Sequence, residues 1–317
     1  MRRFIIKTLF LLLPVLAFVV FCEVCHRMPD NDYKYKYRWL SQHAPEVQIL
    51  SLGSSHGYFG IDPTRFVYPT FNAAHVSQDI HYDEFIFNSF FDRMDSLKCL
   101  ILPISYFTPW SRIEGGWESW REKNYYIYYH HPSVCFQPKY HLEIYYGLRP
   151  RTALREILGR SNYLSVNELG QGTSYKKENR SDDWKGSGMI EAKRHTGEKL
   201  DVDTYQANLS RVRRMIEKCR DRQITVLLLT TPAFITYREN LNETQLSLTR
   251  SFCQTLQNEY DNVYYLDMLD DSRFEEDDFY DADHLNEFGA AKLSCILNQL
   301  IMELTSKKNN FASPPFL

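Results

Sequence analysis

An α/β fold with a parallel sheet and helices on both faces is what this 317-residue sequence predicts, from three observations. Short, almost wholly apolar runs alternate with longer amphipathic ones, the rhythm of strand–helix–strand units. The short runs are apolar throughout, as strands buried on both faces of a parallel sheet are. Turn residues follow them, and right-handed crossovers gather such turns along one rim, where ligands bind in open α/β sheets.

The first element is not part of that rhythm. Arg2, Arg3 and Lys7 precede an uninterrupted apolar run from Leu9 to Cys22. Lys7 can snorkel, so Phe4 to Ile6 add to a span that needs about 20 residues. No small-x-small cleavage site follows, and Phe21 stands where a lipoprotein signal needs a small residue before Cys22. An uncleaved signal anchor over residues 1–28 is expected, with secretion as the outcome if it is cleaved and a buried soluble helix as the alternative. Positive charge before the span places the chain from about residue 30 outside the cytoplasm, in the periplasm or at the cell surface.

The α/β elements follow in order. Val47–Leu52 reads as a buried strand ending at Gly53-Ser54-Ser55, and Phe66–Asn72 as a second. Ile80–Leu97 has broadly helical apolar spacing, and Cys99–Ile104 is a third strand. The stripe Tyr205, Leu209, Val212, Ile216, Cys219 marks a helix over Asp201–Arg222. Ile224–Leu229, a helix over Thr244–Tyr260, the strand Val263–Leu266 and a closing helix Asn286–Leu304 complete the series. The segment 106–200 interrupts it and is too long for a connection, so it reads as an insertion or cap. It has a helix near Arg151–Leu158 and a polar stretch from Gly170 to Gly188. The expected domains are therefore 1–28, an α/β domain of 29–105 with 201–317, and the 106–200 insertion.

Composition bounds the function. With 37 Lys plus Arg against 40 Asp plus Glu, 44% hydrophobic residues and a mean hydropathy of −0.44, the chain is an ordinary folded protein and not a disordered tail, a fibre or a multispanning membrane protein. No basic stripe is present for nucleic acid. Seven cysteines, with one CxxC at the anchor, make neither a disulfide framework nor a zinc or thioredoxin motif. The excess is aromatic: 5 Trp, 22 Tyr and 20 Phe, of which 13 fall in the 41 residues from Tyr106 to Tyr146. These are either a sugar-stacking platform, the insertion's own core, or side chains at a membrane interface.

Three places carry candidate chemistry. Leu52–Pro63 (LGSSHGYFGIDP) puts a serine on a tight turn after a buried strand, followed by backbone N–H groups suited to an oxyanion, although a GSS loop also serves as a plain turn. In Phe279–Ser294 (FYDADHLNEFGAAKLS), Asp281 lies three residues before His284, near enough to bond the imidazole and set its tautomer. A helix cap at Asp281 or Asp283, or a metal site of Asp281, Asp283 and His284, are the alternatives, and the sequence supplies no further cluster to complete the metal. Thr70–Asp79 (TFNAAHVSQD) offers Asn72, Ser77 and Gln78 beside small residues that let backbone approach a ligand.

Together, the order Ser, Asp, His with a C-terminal DxxH pair resembles the SGNH (GDSL-like) hydrolase superfamily, over about residues 45–105 and 201–304. The resemblance implies a flavodoxin-like three-layer α/β/α sandwich. It also implies Ser55 as nucleophile, His284 as base, Asp281 as its orienting carboxylate, and no cofactor or metal. The oxyanion donors it implies are Ser55, Ala74 in place of the second-block glycine, and Ser105. The third-block GxND is absent, the sequence there reading Pro103-Ile104-Ser105-Tyr106. GSS for GDS and the anchor look more like envelope O-acyltransferase-type members. The implied activity is an extracytoplasmic, membrane-anchored serine esterase or O-acyltransferase acting on an acylated cell-envelope glycan or small ester, with a membrane-bound acyl-transfer protein as candidate partner. A catalytically silent scaffold or glycan-binding module is the alternative. His56, Asn72, Ser77 and His195 are candidate substrate-lining residues.

Overall fold

The structure, a computed structural model, describes residues 1–133, 135–147, 155, 158–159, 164–197 and 200–312. Apart from Arg155 and Leu158, the helix expected near Arg151–Leu158 lies outside the described residues. The chain forms two compact units, Trp39–Gly116 with Val166–Leu317 and Met1–Arg38 with Trp117–Ser165.

The larger unit holds the predicted sheet. Strands β1 (Ile49–Ser51), β2 (Thr70–Asn72), β3 (Cys99–Pro103), β4 (Thr225–Thr230) and β5 (Val263–Asp267) are all parallel and lie in the order β2-β1-β3-β4-β5. This is the flavodoxin-like doubly wound order, whose topological switch point falls between β1 and β3. The second strand is shorter than its sequence pattern because Pro69 has no N–H for the ladder. Its carbonyl instead accepts from Gln48 and Ile49 at 2.8 and 3.0 Å.

Pleating sends alternate residues to opposite faces. Ile49, Cys99, Ile101, Leu227 and Leu229 pack on Leu293, Leu297 and Ile301 of the last helix, Glu287–Ala312. Leu50, Leu100, Leu102, Val226 and Leu228 face the other side and are buried as well. The helix Val202–Asp221 packs there on β4 and on Ile80–Phe90. Burying each such side chain contributes roughly 1.5–3 kcal/mol, which explains why the central strands β3 and β4 are almost wholly apolar. Side-chain caps set the starts of several helices of the α/β unit. Asp79 accepts from Tyr82 N–H, Asp201 from Asp203 and Thr204, and Asn242 from Gln245.

Residues 166–197 belong to this unit. Val166 bridges Gly172, the Leu169 carbonyl accepts from Asn72 N–H at 3.0 Å, and Gly172 N–H donates to the Tyr58 carbonyl at 2.9 Å. Gly170 makes the turn at φ 88°, and a Cβ there would lie 2.2 Å from the Asn72 carbonyl oxygen, so only glycine fits.

In the smaller unit, helix α1 (Arg2–Arg27) is the one helix among the described residues long and apolar enough to cross a membrane. Aromatic side chains fill the unit's interior. Tyr33 meets Tyr125 edge-on at 5.2 Å and Tyr126 stacks on Tyr140 at 4.8 Å. All seven cysteines are free thiols.

Candidate functional site

The site lies at the C-terminal rim of β1 and β3. Beyond β1 the chain turns through Gly53 at φ 108°, and a Cβ there would come within 3.1 Å of the Pro103 ring at the end of β3. Buried Asp83 accepts the Gly53 N–H and the Gln78 side-chain amide, both at 2.7 Å, which pins the turn. Ser55 then opens the short helix Ser55–Gly60, so its N–H has no acceptor within the helix. The far end of that helix is held by Asn72, whose amide donates to the carbonyls of Gly57 (2.8 Å) and Ile61 (2.9 Å).

Burial holds the Asp83 carboxyl up at about 7, against the hydrogen bonds from Gln78 and Gly53 that favour its charged form. The folded state therefore binds a proton that the unfolded state releases near pH 4, and stability is lost as pH rises from about 4 through about 7. Asp83→Asn keeps an oxygen for both donors. The difference in melting temperature between this variant and the wild type should grow in the variant's favour as pH rises through that window and be largest at pH 8, as paired thermal-melt series against pH would read.

The second half of the site comes from the loop before the last helix. Asp281 accepts the N–H groups of Asp283 (3.1 Å) and His284 (2.8 Å), a local turn that sets the His284 ring against the same carboxylate. His284 Nδ1 lies 3.0 and 3.1 Å from the two Asp281 oxygens, and Nε2 lies 2.8 Å from Ser55 Oγ. The helix cap is neither aspartate. Asn286 does that work, accepting from Phe288 and Gly289 N–H. Burial disfavours the charged form of His284, but the carboxylates of Asp281 and Asp283 outweigh it and hold the imidazole well above its ordinary value. Ser55, Asp281 and His284 are thus joined in one relay across 229 residues of sequence.

A second polar chain, which the sequence did not suggest, runs beside it. His56 Nε2 lies 3.4 Å from Asp283 Oδ2, and His56 Nδ1 lies 2.7 Å from Ser105 Oγ and 3.2 Å from Thr231 Oγ1. Burial pushes the His56 pKa down, so the ring is neutral. Burial of Asp283 works against its ionisation, but His284 and His56 hold it well below the usual carboxylate range. An ionised carboxylate only accepts, so His56 Nε2 carries the hydrogen and its bare Nδ1 accepts from the Ser105 and Thr231 hydroxyls. The Ser105 hydroxyl proton is therefore directed at His56.

Ala74 N–H is likewise engaged, donating to Asn72 Oδ1 at 3.1 Å. Of the candidate lining residues, Asn72 is buried and structural, His56 belongs to this second chain, and His195 stands at its edge. His195 Nδ1 is 2.9 Å from Tyr237 OH and 3.8 Å from Asp283 Oδ2, and burial lowers its pKa to about 3. Ser77 sits half-buried in a left-handed turn at φ 61°.

Among the described residues, two groups of side chains offer ligand atoms within 4.8 Å of one another, His56 with Asp283 and His284, and Glu191 with His195 and Asp283. In the first, both His284 nitrogens already face Asp281 and Ser55, so a metal there would dismantle the relay.

An aromatic stack flanks the relay. Phe59 stacks on Tyr175 at 3.6 Å and Tyr175 on Tyr280 at 3.9 Å, while Phe59 and Tyr175 meet the His284 ring edge-on. Tyr280 adjoins Asp281 and could have been noticed. Tyr175 comes from a stretch whose composition reads as a polar loop.

A protein-family model matches residues 188–306 of this chain. No curated protein matches it. Among solved structures, a GDSL-like lipase from Bacteroides thetaiotaomicron is 10% identical, with 86% of this chain and 99% of that chain covered and a TM-score of 0.42. A protein provisionally described as an acylhydrolase, from Bacteroides fragilis, is 11% identical over 84% of this chain and 95% of that one, with a TM-score of 0.40.

Proposed function

We propose that this chain is a serine acyl-transfer enzyme, an esterase or O-acyltransferase that works on an acylated cell-envelope glycan or a similar ester. The observation that carries the reading is the Ser55 Oγ to His284 Nε2 distance of 2.8 Å with Asp281 at 3.0 Å behind the ring. Ser55 Oγ attacks the acyl carbonyl while His284 Nε2 takes its proton. The tetrahedral intermediate collapses, its C–O bond to the alcohol breaks, and His284 returns the proton to the departing oxygen. Water or an acceptor hydroxyl then attacks the acyl-Ser55 ester by the same steps, which makes hydrolysis and transfer differ only in the acceptor. The Ser55 N–H, at the open first turn of its helix, is the oxyanion donor available without rearrangement. The Phe59–Tyr175–Tyr280 stack is an apolar wall of the kind sugar rings and acyl chains pack on.

One observation favours a catalytically silent scaffold instead. Ala74 N–H and Ser105 Oγ, two of the three expected oxyanion donors, are bonded to Asn72 and His56. A serine-reactive fluorophosphonate applied to the full-length protein in detergent separates the two. Labelling that vanishes in Ser55→Ala and His284→Ala is the expected result, and a folded wild type that takes no label overturns the enzyme reading. Aryl acetate turnover with and without added sugar acceptor then divides hydrolysis from transfer.

The pH profile is a further expected outcome. The base must be neutral to accept a proton, and His284 is held above its ordinary value by two carboxylates, so kcat/KM rises with pH through that raised pKa. Asp283→Asn removes one of the two charges. Its acid limb should move to lower pH, with the plateau rate changed far less than in Asp281→Asn; a limb that stays put or moves up contradicts the assignment.

A further inference from the structure

We propose that residues 117–133 and 135–147 form a collar that lies in the lipid headgroup layer and clasps the end of α1, so that α1 is retained as a membrane span and not removed as a signal sequence. The inference rests on reading α1 as a span, and on four features of the smaller unit.

The apolar run of α1, Phe4 to Cys22 with Lys7 able to snorkel, is about 28 Å long at 1.5 Å per residue, close to the hydrocarbon thickness of roughly 30 Å. Glu23 is the first acidic residue of the chain and falls where that layer ends. Its carboxylate is not left to solvent. It accepts the N–H groups of Glu143 (3.1 Å) and Ile144 (3.0 Å), while Arg27 donates to the His141 carbonyl. Cys22 and Cys25 on the same turns are buried. The last turns of α1 are therefore part of the unit's interior, and removing them would strip a half-buried carboxylate from two backbone donors.

The outward side of the collar has the composition of a membrane interface. Trp117 is 72% exposed, Phe136 65%, Tyr145 56% and Trp120 41%. A cation accompanies one of these rings, the Arg121 guanidinium lying 4.4 Å from the centre of Trp120, and Lys139 lies 4.2 Å from that of the buried Tyr140. Tyr145 and Tyr146 belong to the same turn, Glu143–Tyr146, that Glu23 holds. Tyr145 and Tyr146 are thereby fixed near the level where α1 leaves the hydrocarbon, which is where Trp and Tyr belts sit. A cavity of about 430 Å³ lined by His26, Trp120, Lys123, Glu143 and Tyr146, with Lys123 paired to Glu143, adds an aromatic recess with charges of both signs, as zwitterionic lipid headgroups carry.

The test uses the full chain in phosphatidylcholine/phosphatidylglycerol vesicles, with and without lipids brominated near the headgroup end of the acyl chain, together with intact-mass measurement and carbonate extraction. The expected result is an unprocessed N-terminus, resistance to extraction, and tryptophan fluorescence quenched by the brominated lipid. Most of that quenching should be lost in Trp117→Phe/Trp120→Phe, while the melting temperature is kept because both rings are exposed. An integrated, unprocessed chain whose fluorescence is not quenched, or is quenched equally in the double variant, overturns the collar alone. A chain cleaved after the apolar run and released by carbonate overturns the span reading, and the collar with it.

Discussion

Ser55→Ala should lower ester turnover by about 10⁶-fold, the scale on which removing a serine nucleophile acts in a triad. The loss follows from connectivity. Without Oγ there is no atom 2.8 Å from His284 Nε2 to receive an acyl group, and the remaining groups can only bind and polarise the ester. The fold should not change, because Ser55 is half-buried and its side chain bonds His284, a contact of the site and not of the core. His284→Ala should fall to a similar level, and the double variant little further, since residues that act as a unit are not additive. Aryl acetate hydrolysis by purified full-length variants, with thermal melts alongside, checks this. A Ser55→Ala protein that keeps more than about a hundredth of wild-type turnover sinks the nucleophile assignment.

Asp281→Asn should cost about 10⁴-fold in kcat while leaving KM nearly unchanged. The asparagine oxygen can still accept the N–H groups of Asp283 and His284, so the turn survives. What is lost is the carboxylate 3.0 Å from His284 Nδ1, which keeps hydrogen on that nitrogen and leaves Nε2 bare for Ser55. An amide NH₂ facing Nδ1 favours the opposite tautomer, with Nε2 protonated and unable to act as base. Asp283 approaches the same nitrogen at 3.4 Å, so it is the natural rival for the orienting role. Comparing the two asparagine variants in kcat and in pH profile decides between them, and a larger rate loss in Asp283→Asn would reverse the assignment.

The strands were legible because a strand buried on both faces must be apolar at every position, and CLILP or TVLLLT can hardly be anything else in this setting. The edge strand was less so. Phe66–Asn72 has the pattern, but Pro69 withholds a ladder donor and the strand begins at Thr70. The Asp281–His284 pair was legible for a similar local reason, since three residues of separation in a turn suffice to bring carboxylate and ring together. The His56–Asp283–Ser105 chain was not, because it is drawn from three segments as far as 227 residues apart, and each of those residues alone reads as an ordinary loop or cap. Tyr175 is similar. It reaches His284 only because residues 166–172 run along β2 and the Ser55–Gly60 helix, contacts made by backbone groups that carry no composition signal.

By itself the sequence determined the local elements: an apolar N-terminal helix, five strands, a serine on the turn after the first of them, and an aspartate–histidine pair before the last helix. These follow from periodicity, turn chemistry and spacing, which act over a few residues. Tertiary structure decided which of those groups meet. It set Ser55 against His284, turned the Ser105 and Ala74 donors toward His56 and Asn72, and placed an aromatic stack beside the relay. The reason is that a hydrogen bond is made or lost over a few tenths of an ångström, and distances on that scale between remote segments are fixed by how the strands and helices pack, not by the order of residues along any one of them.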